Sequence, residues 1–314
     1  MTVRIFKAKN ILTLGIALLL VYMFAHPQKA LHASQQGLLL WFHTLLPTLL
    51  PFMILSNLVI RLGTAEKLLS PFAPLFRTLF GLSPAGTYVY LLGLLCGYPM
   101  GAKLTADLYK EKRIPKSEAM YLLTFSNNPS PAFLSSYVLL QCLCMPQYTL
   151  ASFGILYASN YITCLFFRRR YRTAPSQIDH KRKEISPLPP AGKLLDISIM
   201  NAFETITRLG GFIILFSVLS AALNQYLALG NATPFFLGIF EISTGLPAIA
   251  ASPLSAQARY ILSMGCTSLG GLCVLAQTNT VIRSFGLPLL PYVEGKLLNA
   301  SLALLFSLLF IKCV

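Results

Sequence analysis

Long apolar blocks separated by short basic segments constrain this chain more than any other feature. Only 11% of its 314 residues are charged and 55% are hydrophobic, whereas typical soluble domains have about 25% charged residues. A soluble fold of this size would need a charged surface, and lipid removes that need. The sequence therefore predicts an all-α, polytopic transmembrane protein, with apolar blocks at about 34–60, 84–108, 117–143, 147–167, 197–228, 234–250, 258–285 and 289–312.

The net charge of +15 lies mostly between these blocks. The positive-inside rule gives this distribution to cytoplasmic loops, and no basic run interleaved with aromatic residues indicates a nucleic-acid surface. We therefore expect the lipid bilayer, and no nucleic acid, as a partner.

Sequence patterns typical of enzymes are absent. The chain has no HExxH, GxSxG, P-loop or GxGxxG pattern. Its four histidines lack metal-ligand spacing and its seven cysteines form no CxxC pair. The sequence therefore predicts no enzyme activity, no catalytic residue, no metal site and no cofactor, and any transport would be secondary or passive.

Charge and proline content divide the chain into four segments. Residues 1–30 contain a basic start and the apolar run 11–25, which together predict an uncleaved signal anchor. Residues 168–195 contain eight cations, two acids and four prolines, a composition typical of a cytoplasmic linker. The remaining segments, 31–167 and 196–314, are predicted to be two repeats. A basic amphipathic stretch at 64–80 suits a helix lying in the membrane interface.

Three short matches in the same order support the repeat. FMIL at 52–55 aligns with FIIL at 212–215, and YLLT at 121–124 aligns with YILS at 260–263. Between these matches, Gly97-Tyr98-Pro99 aligns with Gly245-Leu246-Pro247. Each half therefore reads as a helix, a Gly-x-Pro break and a segment with a polar centre.

The number of membrane crossings decides whether the repeats are inverted. If 117–143 is a re-entrant hairpin, each half crosses three times, the halves are inverted and the linker lies inside. If 117–143 crosses fully, the linker lies outside unless the N-terminus is also outside. The charge of the linker favours the hairpin, although the basic segment 110–116 would then be external.

Paired helix breaks are the best sequence indication of a transporter site, because they expose backbone polar groups at membrane depth. The predicted breaks involve Gly97, Pro99 and Gly101 in the first half and Gly245 and Pro247 in the second. The Gly97–Gly101 spacing also suits close packing of small residues between helices.

Polar side chains lie at the centre of one apolar segment in each half. Amide and hydroxyl groups both donate and accept hydrogen bonds, so they suit a polar solute. Hairpin tips would point helix N-termini inward, which favours anions. The predicted solute-binding residues are Ser126, Asn127, Asn128 and Ser130 from the first segment, and Thr267 and Ser268 from a second hairpin.

Ionisable residues inside membrane segments are costly and indicate function. Glu204 and Arg208 are four residues apart and can pair on one helix face. Arg208 is predicted to neutralise a solute carboxylate, and Glu241 and Glu204 are candidates for coupling a proton or a sodium ion.

Two motifs carry a resemblance to a known family. LLCGYPMGAK (94–103) and FSNNPSPAF (125–133) resemble signatures of the YlbJ-like sporulation integral membrane proteins, which carry the nucleoside-recognition, or Gate, domain, and WFHTLLPTLLPF (41–52) fits as well. The resemblance covers about residues 34–312. It implies a fold similar to parts of concentrative nucleoside transporters, with inverted repeats and re-entrant hairpins. It also implies location in the cell membrane, or the outer forespore membrane for a sporulation-specific protein, and movement of dipicolinic acid.

These observations predict a secondary or facilitative transporter of a small anionic aromatic solute, with dipicolinic acid as the first candidate. A nucleoside transporter is the alternative in the same class, and a non-transporting sporulation membrane scaffold is the alternative in another. A homo-oligomer or a sporulation membrane partner would be compatible with either class.

Overall fold

A computed structural model describes residues 2–62, 64, 71, 73–171, 190–226 and 230–313, and these residues form helices and no strand. Most of the basic linker (172–189) and part of the predicted interfacial helix (65–70) lie outside the described residues. The helices are α1 (Thr2–Ala25), α2 (Pro27–Leu40), α3 (Leu46–Arg61), α4 (Ala73–Phe80), α5 (Pro84–Cys96), α6 (Met100–Lys110), α7 (Lys116–Leu123), the π-helical α8 (Phe133–Cys142), α9 (Thr149–Arg170), α10 (Ala191–Tyr226), α11 (Thr233–Phe240), α12 (Ile242–Ala250), α13 (Ala256–Leu269), α14 (Gly271–Arg283) and α15 (Leu290–Cys313).

Four helical elements within these ranges are long and apolar enough to cross a bilayer: α9 with its short lead-in, α10, α13 with α14, and α15. Two further helix pairs are apolar enough only when taken together, and each bends sharply, as a broken span or a re-entrant segment does: α1 with α2 turns by 109°, and α4 with α5 turns by 87°. The all-α, polytopic membrane fold predicted from the apolar blocks is therefore confirmed, and so is the presence of broken helices.

The first long helical element of each half packs antiparallel to that of the other half. A π-helical turn, Trp41–Leu45, joins α2 to α3, so that this pair runs alongside α10. At one end a methyl group on Gly37 would lie 2.8 Å from the Ser217 Oγ. At the other end Asn57 donates to the Ser198 carbonyl at 3.4 Å. Because α10 is a candidate span, α2–α3 crosses the same layer in the opposite direction.

Two short helix pairs form tight hairpins. In hairpin 1 (α5 and α6), a methyl group on Gly93 would lie 2.9 Å from the Gly101 Cα. In hairpin 2 (α11 and α12), a methyl group on Gly245 would lie 2.2 Å from the Gly238 Cα. Each arm has only 8 to 13 residues, too few to cross a bilayer, which takes about 20. Both pairs therefore enter and leave the membrane on one side.

These hairpins correct the assignment made from the sequence. The predicted hairpin at 117–143 instead runs alongside α9 as a broken span: Tyr121 of α7 contacts Cys164, Leu139 of α8 packs in a cluster with Ile155, and the irregular segment 124–131 lies between the two helices. The predicted second hairpin around Thr267 and Ser268 is likewise part of a broken span, because α13 and α14 together form a candidate span of 28 residues. Both predicted polar centres lie at or next to the breaks of these spans, but hydropathy alone does not separate a hairpin from a span of similar length.

The second helix break also lies at a different place from the predicted one. Gly97 and Pro99 do interrupt the chain between α5 and α6. Gly245 and Pro247, by contrast, lie inside α12, and the break falls at Glu241. Pro247 lacks the N–H that would bond the Ser243 carbonyl, and this carbonyl accepts a hydrogen bond from the Tyr137 hydroxyl of α8 instead. Gly245 is needed for close contact with α11.

Each half follows the same order: a long helix, a hairpin, a broken span and a final helix. Three crossings per half and the antiparallel packing of α2–α3 against α10 are the arrangement expected of inverted repeats.

Side-chain contacts identify the cytoplasmic side. Arg113 donates to the Ile60 carbonyl at 3.3 Å, Arg168 donates to the Thr78 carbonyl at 3.2 Å, and Arg170 pairs with Glu294 at 2.9 Å. The base of hairpin 1 therefore lies on the same side as the linker. This removes the conflict noted for segment 110–116, and the positive-inside rule assigns this side to the cytoplasm. The cations on this side include Arg61, Lys110, Lys112, Arg113, Lys116, Arg168, Arg169, Arg170, Lys193 and Arg283.

A labelling experiment checks this topology. In a background with the native cysteines replaced by serine, Lys116→Cys at the base of hairpin 1 should resist a membrane-impermeant maleimide applied to intact cells. Gln257→Cys, beyond hairpin 2, should react. Permeabilised cells provide the control, because both cysteines should then react. Labelling of Lys116→Cys in intact cells would show that hairpin 1 enters from the external side.

The packing of hairpin 2 gives a second expectation. Gly245→Ala forces a methyl group against the α11 backbone, and overpacking of this kind costs about 1–3 kcal/mol. We expect a lower thermal unfolding temperature in detergent. The control is Gly211→Ala, since a methyl group on Gly211 meets nothing within 4 Å. Equal unfolding temperatures for the two variants would contradict the close approach of the hairpin arms.

Candidate functional site

The break in the first span inserts between the arms of hairpin 1. The Ser126 carbonyl oxygen would lie 2.3 Å from a methyl group on Gly93 and 2.1 Å from one on Gly101. Glycine at both positions therefore makes room for this carbonyl. Gly97, with φ of +83°, lets the chain turn at the tip, where a methyl group would meet the Ser130 nitrogen at 2.7 Å.

Asparagine side chains form hydrogen bonds with backbone carbonyl groups at this break. Asn128 and Asn160 each donate to the Phe125 carbonyl at 2.7 Å, and Asn160 also donates to the Asn128 Oδ1 at 3.0 Å. The Ser130 Oγ accepts from the Phe133 N–H at 3.2 Å and so caps the following helix. Much of the hydrogen-bonding capacity of Asn128 and Ser130 is therefore used by the protein itself.

Asn127 connects the two broken spans. Its Nδ2 donates to the Thr278 Oγ1 at 3.2 Å, and both side chains are buried. The hydroxyl of Tyr292, from α15, lies beside these two side chains. A predicted solute-binding residue thus lies where both halves meet, at the level of the breaks.

The second broken span contributes backbone carbonyls. Gly270 and Gly271 adopt φ of +83° and +76° and end α13. One turn earlier, the Thr267 carbonyl accepts a short hydrogen bond from the hydroxyl of Tyr98 at the hairpin 1 tip. The Ser268 Oγ donates to the Asn299 Oδ1 at 3.1 Å. The Thr267 hydroxyl is buried and has no partner among the described residues.

Glu241 forms the tip of hairpin 2. Its carboxylate accepts from the Ser243 N–H at 3.0 Å, from the Thr244 N–H at 2.7 Å and from the Ser243 hydroxyl. This is an N-cap, and the positive end of α12 stabilises the buried carboxylate. The Ser243 carbonyl accepts from the hydroxyl of Tyr137 on α8. Each hairpin tip is therefore joined by a tyrosine to a broken span of the other half.

A central cavity of about 180 Å³ lies between the two hairpin tips. Three aromatic residues line it, Tyr98, Phe133 and Tyr137, together with α3 and α10 side chains. Of the predicted solute-binding residues only Ser130 lines this cavity. The polar lining residues are Thr44, Ser130, Ser136, Gln141, Glu241, Ser243 and Gln277.

A larger vestibule of about 380 Å³ opens on the cytoplasmic side. Arg208 lines it and pairs with Glu204 at 2.5 Å, and Lys103 pairs with Asp107 at 3.0 Å. The Arg208 side chain is 62% exposed. Arg208 therefore lies outside the central cavity, on the cytoplasmic approach to it.

Gln277 lines both cavities, and its Oε1 is buried without a partner among the described residues. Pro99, at the hairpin 1 tip, lines the vestibule, whereas Gly97 and Tyr98 line the central cavity. The hairpin 1 tip thus separates the vestibule from the central cavity.

Several of these residues were not predicted from the sequence. Tyr98, Tyr137, Asn160 and Asn299 gave no local signal, since each acts across a distance of at least 30 residues. Lys296 did give a local signal, because it is a cation well inside the apolar block 289–312, whose other cation, Lys312, lies at the end of the block. For metal binding, the described ranges contain no group of three or more His, Cys, Asp or Glu side chains that could hold an ion.

Two comparisons with known proteins found a match. Residues 42–141 match the model of a family described as Gate, nucleoside recognition. The matched region contains hairpin 1 and nearly all of the first broken span.

The chain is also 29% identical, over 331 aligned positions, to the sporulation integral membrane protein YlbJ of Bacillus subtilis strain 168. The alignment covers 92% of this chain and 79% of that protein. No solved structure matches significantly. The resemblance predicted from the two motifs is confirmed: the chain is similar to an integral membrane protein of sporulation over most of its length, and part of its first half matches the Gate family.

Proposed function

We propose that this protein is a secondary or facilitative transporter of a small aromatic solute, which passes through the central cavity as the two hairpins move. One observation carries the proposal: two inverted hairpins and two broken spans meet around a cavity in the middle of the molecule. Inverted repeats with discontinuous helices at the membrane midplane are the usual architecture of a secondary transporter site.

The lining of the cavity favours a planar solute with polar edges. The rings of Tyr98, Phe133 and Tyr137 offer flat apolar contact, and Gln277 offers a buried carbonyl oxygen without a protein partner. Small-molecule sites combine these features, with apolar walls and a few polar groups that fix orientation.

Dipicolinic acid is our first candidate solute. Four cations line the vestibule that leads to the cavity, Arg61, Lys103, Lys110 and Arg208, against the acids Asp107, Glu111 and Glu204. A cationic excess along the approach raises the local concentration of an anion. In this proposal Arg208 gives up its ion pair with Glu204 and binds a solute carboxylate in the vestibule. The sporulation role in the name of the Bacillus subtilis relative is compatible with this solute.

A nucleoside is the second candidate. The central cavity has no lysine or arginine among its lining residues, and its amide and hydroxyl groups suit a neutral base and ribose. The Gate match is described as nucleoside recognition. The competing class is a membrane scaffold that keeps the fold without moving a solute.

The other predicted solute-binding residues also have a role in this proposal, after the solute has entered the central cavity. These residues are Ser126, Asn127, Asn128, Thr267 and Ser268. They lie at the breaks behind the cavity lining, where movement of the hairpins would bring them to the solute. Asn127 is the strongest of these residues, because it already joins the two halves.

Uptake into proteoliposomes tests the proposal. We expect saturable uptake of labelled dipicolinate, with uridine measured in parallel. Asn127→Ala with Asn128→Ala should lower the rate at least about tenfold, since both breaks lose buried hydrogen bonds worth about 1–3 kcal/mol each. Arg208→Ala should raise KM more than it lowers kcat, because Arg208 acts on the approach.

The outcomes separate the candidates. Uptake of uridine alone assigns the protein to nucleosides. Uptake of neither solute by protein shown to be folded and inserted supports the scaffold. Full activity in the Asn127, Asn128 double variant would show that the helix breaks are not part of the solute-binding site.

Glu241 provides a test of ion coupling, which we propose as its role. Glu241→Gln keeps an acceptor for the α12 N-terminus but removes the charge. Uptake driven by a proton or sodium gradient should fall at least about fivefold, whereas exchange of internal for external solute should persist, since coupling ions bind at discontinuous helices. Equal loss of both activities would indicate that Glu241 only caps the helix.

A further inference from the structure

A polar stripe on α15 faces the centre of the molecule. Tyr292, Lys296 and Asn299 lie at helical spacing on one face, and each is at most 4% exposed. Tyr292 lies beside the Asn127–Thr278 pair, and Asn299 accepts from Ser268. Lys296 lies between them on the stripe, so its ammonium group reaches the region where both broken spans meet.

Lys296 is a buried cation without a carboxylate partner. Within the described part of the chain, its Nζ donates to the Ser268 carbonyl at 3.0 Å and forms no ion pair. A lysine inside a membrane segment is costly and is retained mainly where it serves function. A buried charge with partial compensation gains most from an ion of opposite sign.

The partners that Lys296 does have are weak. The Ser268 carbonyl belongs to the last turn of α13, where the helix dipole favours a cation. The ring of Tyr98 lies 4.8 Å from the Nζ, which is a cation–π contact. Both contacts carry only partial negative charge, so a carboxylate would be a stronger neighbour than either.

Tyr98 lies between Lys296 and the central cavity. It belongs to the tip of hairpin 1 and lines the cavity, while its ring covers the ammonium group. Its hydroxyl is bonded to the Thr267 carbonyl, which holds the tip against the second broken span. Any displacement of the hairpin 1 tip that moves this ring uncovers Lys296 toward the cavity.

We propose that Lys296 is the anion-recognising cation of the central site, and that a solute carboxylate replaces the Tyr98 ring beside its ammonium group when hairpin 1 moves. This inference rests on the proposed transport function and deepens it, because it names the residue that binds a solute carboxylate in the central site. In the central site the solute carboxylate is bound by Lys296 on α15, and not by Arg208, which lies in the vestibule. Exchange of a ring for a carboxylate also links solute binding to hairpin movement, since the solute binds the displaced state better.

Equilibrium binding to the purified full-length protein tests this assignment. The probes are pyridine-2,6-dicarboxylate and the neutral pyridine-2,6-dicarboxamide, which has the same ring and similar size. We expect the wild type to prefer the dicarboxylate at least about tenfold, as a charge-assisted contact predicts. Lys296→Met should reduce this preference to below about threefold, while Lys296→Arg should retain it. Lys312→Met, at the exposed end of the same helix, is the matched control and should bind like the wild type.

A second measurement avoids substitution of Lys296. In a variant that keeps Cys96 as its single cysteine, labelling of this buried residue beside the hairpin 1 tip should change when the dicarboxylate binds and not when the dicarboxamide binds. Identical labelling with both probes overturns the exchange of ring for carboxylate.

The binding results distinguish the role of Lys296 from the proposed transport function. Equal affinity of the wild type for both probes, or an unchanged preference in folded Lys296→Met, overturns the role of Lys296 and leaves a transporter of neutral solutes standing. Binding of neither probe, together with absence of uptake, overturns the proposed function and this inference with it.

Discussion

The need to satisfy every backbone polar group within the membrane governs the centre of this molecule. Each broken span releases carbonyl and N–H groups at that depth, and specific neighbours accommodate several of the released carbonyls. Asn160 and Asn128 meet the Phe125 carbonyl, the glycines of hairpin 1 admit the Ser126 carbonyl, and Tyr98 meets the Thr267 carbonyl. The hairpins, the final helices and the cavity all take their positions from these contacts.

Much of the fold could be predicted from the sequence because hydropathy, charge and repeat order are local properties. The apolar blocks predict membrane helices, and the two matches that flank the Gly-x-Pro motifs lie in equivalent elements of the two halves. The hairpins were misplaced because 117–143 and 84–110 have similar length and composition. What separates them is the packing of Gly93 against Gly101, which depends on three-dimensional approach. Once that packing is known, the basic segment 110–116 lies on the cytoplasmic side, as the positive-inside rule requires.

The site was predictable only in part, for a related reason. Polar residues in apolar surroundings indicate where function lies, and Asn127 and Glu241 do lie at the centre. Sequence does not show which of them face the solute and which stabilise the backbone. Asn128 is engaged with Asn160, and Arg208 lies in the vestibule with Glu204. The Lys296–Tyr98 contact joins residues almost 200 positions apart, so no local pattern could reveal it.

The antiparallel packing of α2–α3 against α10 has a consequence for the conformational cycle. Because the halves are equivalent but inverted, either half can in principle adopt the arrangement of the other. In the present arrangement the vestibule borders hairpin 1 and opens to the cytoplasm. If the two halves exchanged arrangements, an equivalent opening would border hairpin 2 and face the opposite side. The gene duplication suggested by the repeat would thus have supplied both entrance and exit from one structural unit.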